Sequence, residues 1–359
     1  MRDVAIVAFA QTAHTRTSDE LSEVEMLMPV LHEVLDRTGL KAADLGFVCS
    51  GSSDYLAGRA FSFTMALDGV GAWPPVSESH VEMDGAWALY EAWIKILTGE
   101  ADTALVYAYG KSSPGELRDV LTRQLDPYYV APLWPDSVSL AALQAQALID
   151  AGAADERALA GVAARSRTDA AANPHAQLKG RTPMGDYVVQ PLRRGDCPPV
   201  SDGAAAVILA AGDSARTLCD RPAWIRGLDH RIEAHSLGVR DLTDSPSTRL
   251  AAEKAGAFDA PHGLKGRGGT PTVDTAELHA PFSSQEIVLR RALRLGDEVT
   301  VNPSGGALAA NPVMAAGLIR IGEAATRIQR GESRRALAHA TSGPCLQQNL
   351  VAVLEGEPQ

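Results

Sequence analysis

The sequence is 359 residues long, with 45% hydrophobic, 21% charged and 5% aromatic side chains. This is a globular composition built on small aliphatics and long enough for two domains or one layered α/β unit; disordered and fibrous classes are excluded. The 33 Lys and Arg against 44 Asp and Glu give a net charge of −11, and no basic run is dense enough to neutralise phosphates, which argues against nucleic acid as a partner.

Taken in chain order, residues 4–9 read as a first buried strand, because polar Gln11, Thr12 and His14 break the apolar run before a signal segment can form. Residues 21–38 carry apolar side chains at helical spacing and close on Gly39. A short strand at 47–50, a helix over 85–97 ended by Gly99, and a continuously apolar strand at 103–109 follow. From about 112 to 195 the proline content rises and two helical stretches (137–151 and 156–172) interrupt the pattern, which predicts an inserted loop or lid region. A strand at 204–209 resumes the sheet. From 223 the order of strand, helix (310–327) and strands (298–301, 335–341, 350–355) partly echoes the first part, so the chain is read as two parallel halves, 1–222 and 223–359.

No apolar window approaches the eighteen or so residues a bilayer span needs, and no membrane span is expected. Cys49, Cys197, Cys219 and Cys345 are scattered, without a C-x-x-C pair or zinc-type spacing to histidine. That usage predicts a reduced, cytoplasmic protein without a structural metal.

Four segments in one order carry the chemistry. They are Cys197-Pro198-Pro199-Val200-Ser201-Asp202-Gly203, Glu277-Leu278-His279-Ala280-Pro281-Phe282, Asn302-Pro303-Ser304-Gly305-Gly306 followed by Asn311-Pro312, and Ser342-Gly343-Pro344-Cys345. In order and spacing they resemble the thiolase family: the third matches its "N-P-S-G-G … G-H-P", the first the "C-D-P-T-S-D-G" of sterol-carrier-type thiolases, the second the position of "H-D-C-F" or "N-E-A-F", and the fourth the closing "C-x-G" loop. The resemblance covers nearly the whole chain. It implies a five-layered αβαβα fold, a Coenzyme A thioester as substrate with no permanently bound cofactor, and a homodimer or a heterodimer with a homologous chain. In its terms Ser304, Gly305, Gly306 and Cys345 fall in substrate-binding segments.

The departures from the family direct the functional reading. Its nucleophilic cysteine is absent: one alignment puts Glu82 at that position and another puts Gly85 there, in Ser79-His80-Val81-Glu82-Met83-Asp84-Gly85. Without a thiolate, covalent acyl transfer is not available. The acid/base histidine of "G-H-P" is replaced by Asn311, and His279 stands where biosynthetic thiolases have asparagine. Both side chains donate hydrogen bonds, so this inverted pair can hold a thioester oxyanion, with the backbone of Gly343 and Gly85 as further donors. Glu82 and Asp84 are a candidate pair for proton transfer, and equally ordinary acids at a helix start. Tyr128 and Tyr129 are candidates to line an apolar tunnel, or only to pack locally.

Thiolase homologues lacking these groups resemble lipid-transfer-type aldolases of steroid side-chain breakdown, although those carry tyrosines at the two inverted positions. The resemblance therefore implies retro-aldol cleavage of a β-hydroxyacyl-CoA and a small partner protein with an OB fold and a zinc-ribbon-like element. A non-catalytic acyl-CoA-binding or scaffolding subunit, with Asn311 only a helix cap, is the competing reading, and a thiolase with an altered site is a third.

Overall fold

The computed structural model describes residues 2–58, 60–71, 73–180, 184–258 and 271–357. Twelve strands are found among them: β1 (Val4–Gln11), β2 (Phe47–Gly51), β3 (Glu78–Val81), β4 (Thr103–Gly110), β5 (Tyr187–Val189), β6 (Leu192–Arg193), β7 (Gly203–Ala211), β8 (Ala223–Ile232), β9 (Thr275–Leu278), β10 (Thr300–Val301), β11 (Arg335–Ser342) and β12 (Gln348–Glu355). The first helices are α1 (Glu23–Thr38), α2 (Asp54–Ala57), α3 (Ser62–Val70) and α4 (Gly85–Thr98). Then come α5 (Leu117–Thr122), α6 (Ser137–Asp150), α7 (Glu156–Asp169) and α8 (Gly212–Leu218). The rest are α9 (Pro246–Lys254), α10 (Ser283–Ala292), α11 (Gly306–Ala309) and α12 (Ala316–Arg330).

Ten strands form one sheet in the order β10-β9-β11-β12-β8-β1-β7-β4-β2-β3. Its middle seam is thin, since β1 and β8 pair only through Ala5 with Trp224 and Ile6 with Ala223. On each side of that seam the connectivity is the same. In the first half β1–β7 and β7–β4 are antiparallel and β4–β2 and β2–β3 parallel. In the second, β8–β12 and β12–β11 are antiparallel and β11–β9 and β9–β10 parallel.

Side-chain alternation along these strands makes the layers. Val106 and Leu209 of one half-sheet and Ala338 and Leu350 of the other bury against α4 and α12 in a shared central core. Their neighbours Leu105 and Ile208 turn the other way, onto Leu27, Leu31 and Val34 of α1. Leu337 and Val351 likewise pack outward on Ala251 of α9 and Leu289 of α10. The stacking is therefore helix, sheet, helix, sheet, helix. Local sequence supports it: α1 starts on a capping box, with the Ser22 hydroxyl accepting from the Glu25 amide and the Glu25 carboxylate accepting from the Ser22 amide, and stops on left-handed Gly39.

Two expected elements differ in extent. The helix read over 310–327 begins only at Ala316, because residues 310–315 make an irregular loop containing Pro312 and left-handed Met314 (φ 79°). The strand read over 298–301 shrinks to Thr300–Val301. Between β4 and β7 the chain leaves the sheet and builds α5, α6, α7 and the β5–β6 hairpin. Among the described residues no helix is long and apolar enough to cross a membrane.

Candidate active site

The N-termini of the two central helices meet beneath one cavity, and Asp84 joins them. As the N-cap of α4 its Oδ1 accepts the Ala86 amide at 2.9 Å. The same oxygen accepts Leu318 N–H at 3.0 Å and Oδ2 accepts Gly317 N–H at 2.8 Å, so one carboxylate caps α12 as well. Asp84 is only 2% exposed. Burial pushes its carboxyl up to about 6, against the opposing pull of those three amides. Among the described residues Oδ2 accepts one hydrogen bond and so keeps acceptor capacity, and Asp84 lines the cavity.

The cavity has a volume of about 170 Å³. Its floor is Asp84, His279, Asn311 and Met314. One wall is the end of β11 and the loop that follows it, from Thr341 to Cys345, and Pro281, Phe282 and Gln285 also line the cavity. Its apolar cover comes from the segment between β4 and β7: Leu117, Leu121, Leu125, Pro135 and Leu140. Three residues of the wall loop are left-handed, Gly343 at φ 72°, Cys345 at 53° and Leu346 at 60°. Non-glycine residues rarely adopt that conformation, and such strain clusters at functional sites.

His279 leaves the end of β9, where its amide donates to His339 O at 3.0 Å. Its Nε2 lies 3.0 Å from Asn311 Oδ1, and the Thr341 amide donates to its Nδ1 at 3.4 Å. Burial pushes the ring down to about 3, so it is neutral at physiological pH. Asn311 is held from behind by its amide, which donates to Ser201 Oγ at 2.9 Å; Ser201 in turn donates to Gln177 Oε1 at 2.6 Å. The structure thus brings His279, Asn311, Asp84, Gly343 and Cys345 together. Cys345 is the cavity's one cysteine, and burial pushes its thiol up to about 11 while it donates to Leu140 O at 3.4 Å. That is an inert thiol.

Other expected site residues lie elsewhere, each for a physical reason. Glu82 is 52% exposed in its side chain and accepts the Asp54 amide at 2.7 Å, away from the cavity. Gly85 gives its N–H to Met314 O at 2.8 Å, which removes it as an oxyanion donor. A side chain is also excluded there, since a Cβ would fall 2.6 Å from Ala108 Cβ. Tyr128 and Tyr129, 83% and 79% exposed, point out to solvent and do not line the cavity.

Ser304, Gly305 and Gly306 form the scaffold behind the site instead of a substrate-contacting surface. Ser304 donates its amide and hydroxyl to the fully buried Glu277, at 3.0 and 2.6 Å, and Arg320 completes the cluster at 3.0 Å from Glu277 Oε2. Gly305 is pressed against Ala170, and Gly306 against the Asn302 side chain. Asn302, left-handed at φ 51°, ties β9 to α10 by accepting from Leu278 N and donating to Glu286. Ser201, Gln177 and Gln285 are not legible in the sequence; Ser201 lies in the Cys197–Gly203 segment, but nothing in its spacing distinguishes it as a support for Asn311. Among the described residues no group of three or more His, Cys, Asp or Glu is placed to hold a metal ion.

No protein-family model matches the chain. It is 26% identical over 376 residues to an acetyl-CoA acetyltransferase of Methanothermobacter thermautotrophicus, covering 96% of this chain and 95% of that one. It is also 26% identical over 349 residues to a 17-hydroxy-3-oxo-4-pregnene-20-carboxyl-CoA lyase of Mycobacterium tuberculosis, covering 85% and 86% of the two chains. Among solved structures, a chain of an Ltp2-ChsH2(DUF35) aldolase superposes with a TM-score of 0.77 at 19% identity, over 99% of this chain and 98% of that one. With its doubled five-strand sheets and central helix pair, the chain is a divergent, thiolase-like protein of the thiolase fold.

Proposed function

We propose that this chain is a carbon–carbon lyase that cleaves a β-hydroxyacyl thioester of Coenzyme A by a retro-aldol reaction. The observation that carries the reading is a cavity floor with a carboxylate and an amide side chain but no usable sulfur nucleophile. In the reaction Asp84 Oδ2 takes the proton of the β-hydroxyl, the Cα–Cβ bond breaks, and its electron pair passes into the thioester as an enolate. The β-carbon leaves as a ketone or aldehyde, and protonation at Cα releases the shortened acyl-CoA. The His279–Asn311 pair, with the Gly343 backbone beside it, forms the end of the site that holds the enolate oxygen. No covalent acyl-enzyme is required.

The apolar cover of α5 and α6 suits an acyl chain with a bulky hydrocarbon portion, a steroid or related lipid side chain among them. The lyase relative and the DUF35 aldolase neighbour support the same class of reaction. We further propose a cytoplasmic, dimeric state and a small OB-fold zinc-ribbon partner, and the repeated strand connectivity supports the domain halves 1–222 and 223–359. The test is incubation with a branched β-hydroxyacyl-CoA, with and without such a partner, following the carbonyl product. Carbonyl release without consumption of free Coenzyme A is expected. Thiolysis that consumes Coenzyme A, or saturable binding without turnover under either condition, would overturn the proposal, the latter in favour of an acyl-CoA-binding subunit.

A further inference from the structure

The floor of the cavity contains two side chains able to donate to an oxyanion, yet their mutual contact leaves only one free to do so. His279 is buried and neutral, so its ring carries a single N–H. The Thr341 amide points its hydrogen at Nδ1 from 3.4 Å. A second hydrogen on that nitrogen would oppose a donor, so the ring proton resides on Nε2, 3.0 Å from Asn311 Oδ1. The carboxamide of Asn311 is thereby oriented: its oxygen is occupied by histidine and Nδ2 has no protein partner among the described residues, in a side chain that lines the cavity.

We infer that Asn311 Nδ2 is the side-chain donor to the substrate oxygen, and that His279 is a positioning residue that donates nothing to that oxygen but fixes the direction of the Asn311 amide. The inference rests on the lyase reading for the identity of the oxygen, though not for the geometry. Two supports converge on Asn311 from opposite halves of the chain. Thr341 through His279 sets its side chain, and Gln177 through Ser201 anchors its backbone amide. An oxyanion donor is effective because it is oriented before the charge develops, and a freely rotating amide presents its oxygen to an enolate as readily as its nitrogen.

Ring tautomer and kinetics test this separately. In the full chain with 15N-labelled histidine, two-bond correlations of the His279 ring, assigned by its loss in His279→Gln, should show an Nε2–H tautomer that does not titrate between pH 5 and 9. An Nδ1–H tautomer or a titrating ring would overturn the inference, whatever the activity. In turnover of a β-hydroxyacyl-CoA, Asn311→Ala should lower kcat by about 10²–10³, the usual loss for one oxyanion donor. His279→Ala should cost less, about tenfold, with KM little changed, and His279→Gln should recover most of that loss by restoring a donor to Asn311 Oδ1. The double variant should be no slower than Asn311→Ala alone, because the histidine acts only through the asparagine. If the two losses multiply, His279 donates to the substrate oxygen itself and the inference fails. Complete absence of wild-type turnover would refute the lyase reading, and the tautomer measurement would still decide this one.

Discussion

Replacing Asp84 by Asn tests whether one buried carboxylate clamps the two central helices. The carboxylate accepts three backbone amides, two on Oδ1 and one on Oδ2. An asparagine of the same shape must turn its NH₂ towards one of these oxygen positions, so at least the Gly317 amide is left facing a donor. A buried unsatisfied donor costs about 1–3 kcal/mol. With an unfolding entropy of about 2.1 cal/mol/K per residue, a 359-residue chain melting as a unit would lose about 1–4 °C in Tm. The dependence on pH is more diagnostic. Folding raises the Asp84 carboxyl from 3.8 to about 6. Between those values the folded chain retains a proton that the unfolded chain has lost, so this group's contribution to stability falls as pH rises through that window. The full effect of such a shift is about 3 kcal/mol at 1.36 kcal/mol per pKa unit. Asn does not titrate, so urea denaturation should show the wild type gaining on Asp84→Asn as pH falls from 7 to 4. A gap that narrows on acidification would mean that the three amides and two helix termini outweigh burial, and the assignment of Asp84 as a base near neutrality would fall with it.

Two further predictions concern the scaffold. Arg320→Leu removes the hydrogen-bonded guanidinium of fully buried Glu277 and leaves it only Arg327, at 3.8 Å; it should cost about 3–5 kcal/mol in chemical denaturation, and Glu277→Leu combined with Arg320→Leu should cost less than Arg320→Leu alone. A double variant less stable than that single one would contradict this account. Gly85→Cys should not restore thiolysis, because its Cβ would meet Ala108 Cβ at 2.6 Å and Leu318 Cδ2 at 3.0 Å, an overpacking of about 1–3 kcal/mol. Consumption of Coenzyme A with acetoacetyl-CoA on the order of 1–10³ s⁻¹ would refute that reasoning.

The strands and long helices were legible because their signals are local. Thr103–Gly110 is buried along its whole length, as its unbroken apolar run requires, and α1 ends on the glycine that its periodicity demanded. The site was legible only in part. His279 and Asn311 stood out because their identities are exchanged relative to the family pattern, and the fold brings them to 3.0 Å. Glu82 and Asp84 are two residues apart and indistinguishable by composition. Only the meeting of two helix N-termini decides that one is buried and bonded to both while the other is half in solvent. Tyr128 and Tyr129 failed for a related reason: proximity in sequence to a cover element says nothing of which side faces the cavity, and the apolar cover is supplied by Leu117, Leu121 and Leu140.

The doubled topology explains why the cavity lies where it does. Helix α4 follows β3, and α12 follows the equivalent strand β10 after the short α11; their N-termini meet and one acid caps both. Strict symmetry between the halves would leave that meeting point uncovered. The halves differ most in the connection to the last strand of each sheet. From β11 to β12 it is the short turn at 343–347; from β4 to β7 it is the excursion over 111–202 that carries α5 and α6. The short turn supplies a backbone wall and the long excursion an apolar cover, and together with Pro281, Phe282 and Gln285 they enclose Asp84, His279 and Asn311. The Asn302–Gly306 segment, the strongest family signal in the sequence, acts one layer back by bonding to Glu277, Arg320 and the end of β9. A scaffold of that kind can persist while the residues it supports are exchanged. That is the physical basis on which the fold reads plainly from this chain while the proposed chemistry rests on three side chains at the cavity floor.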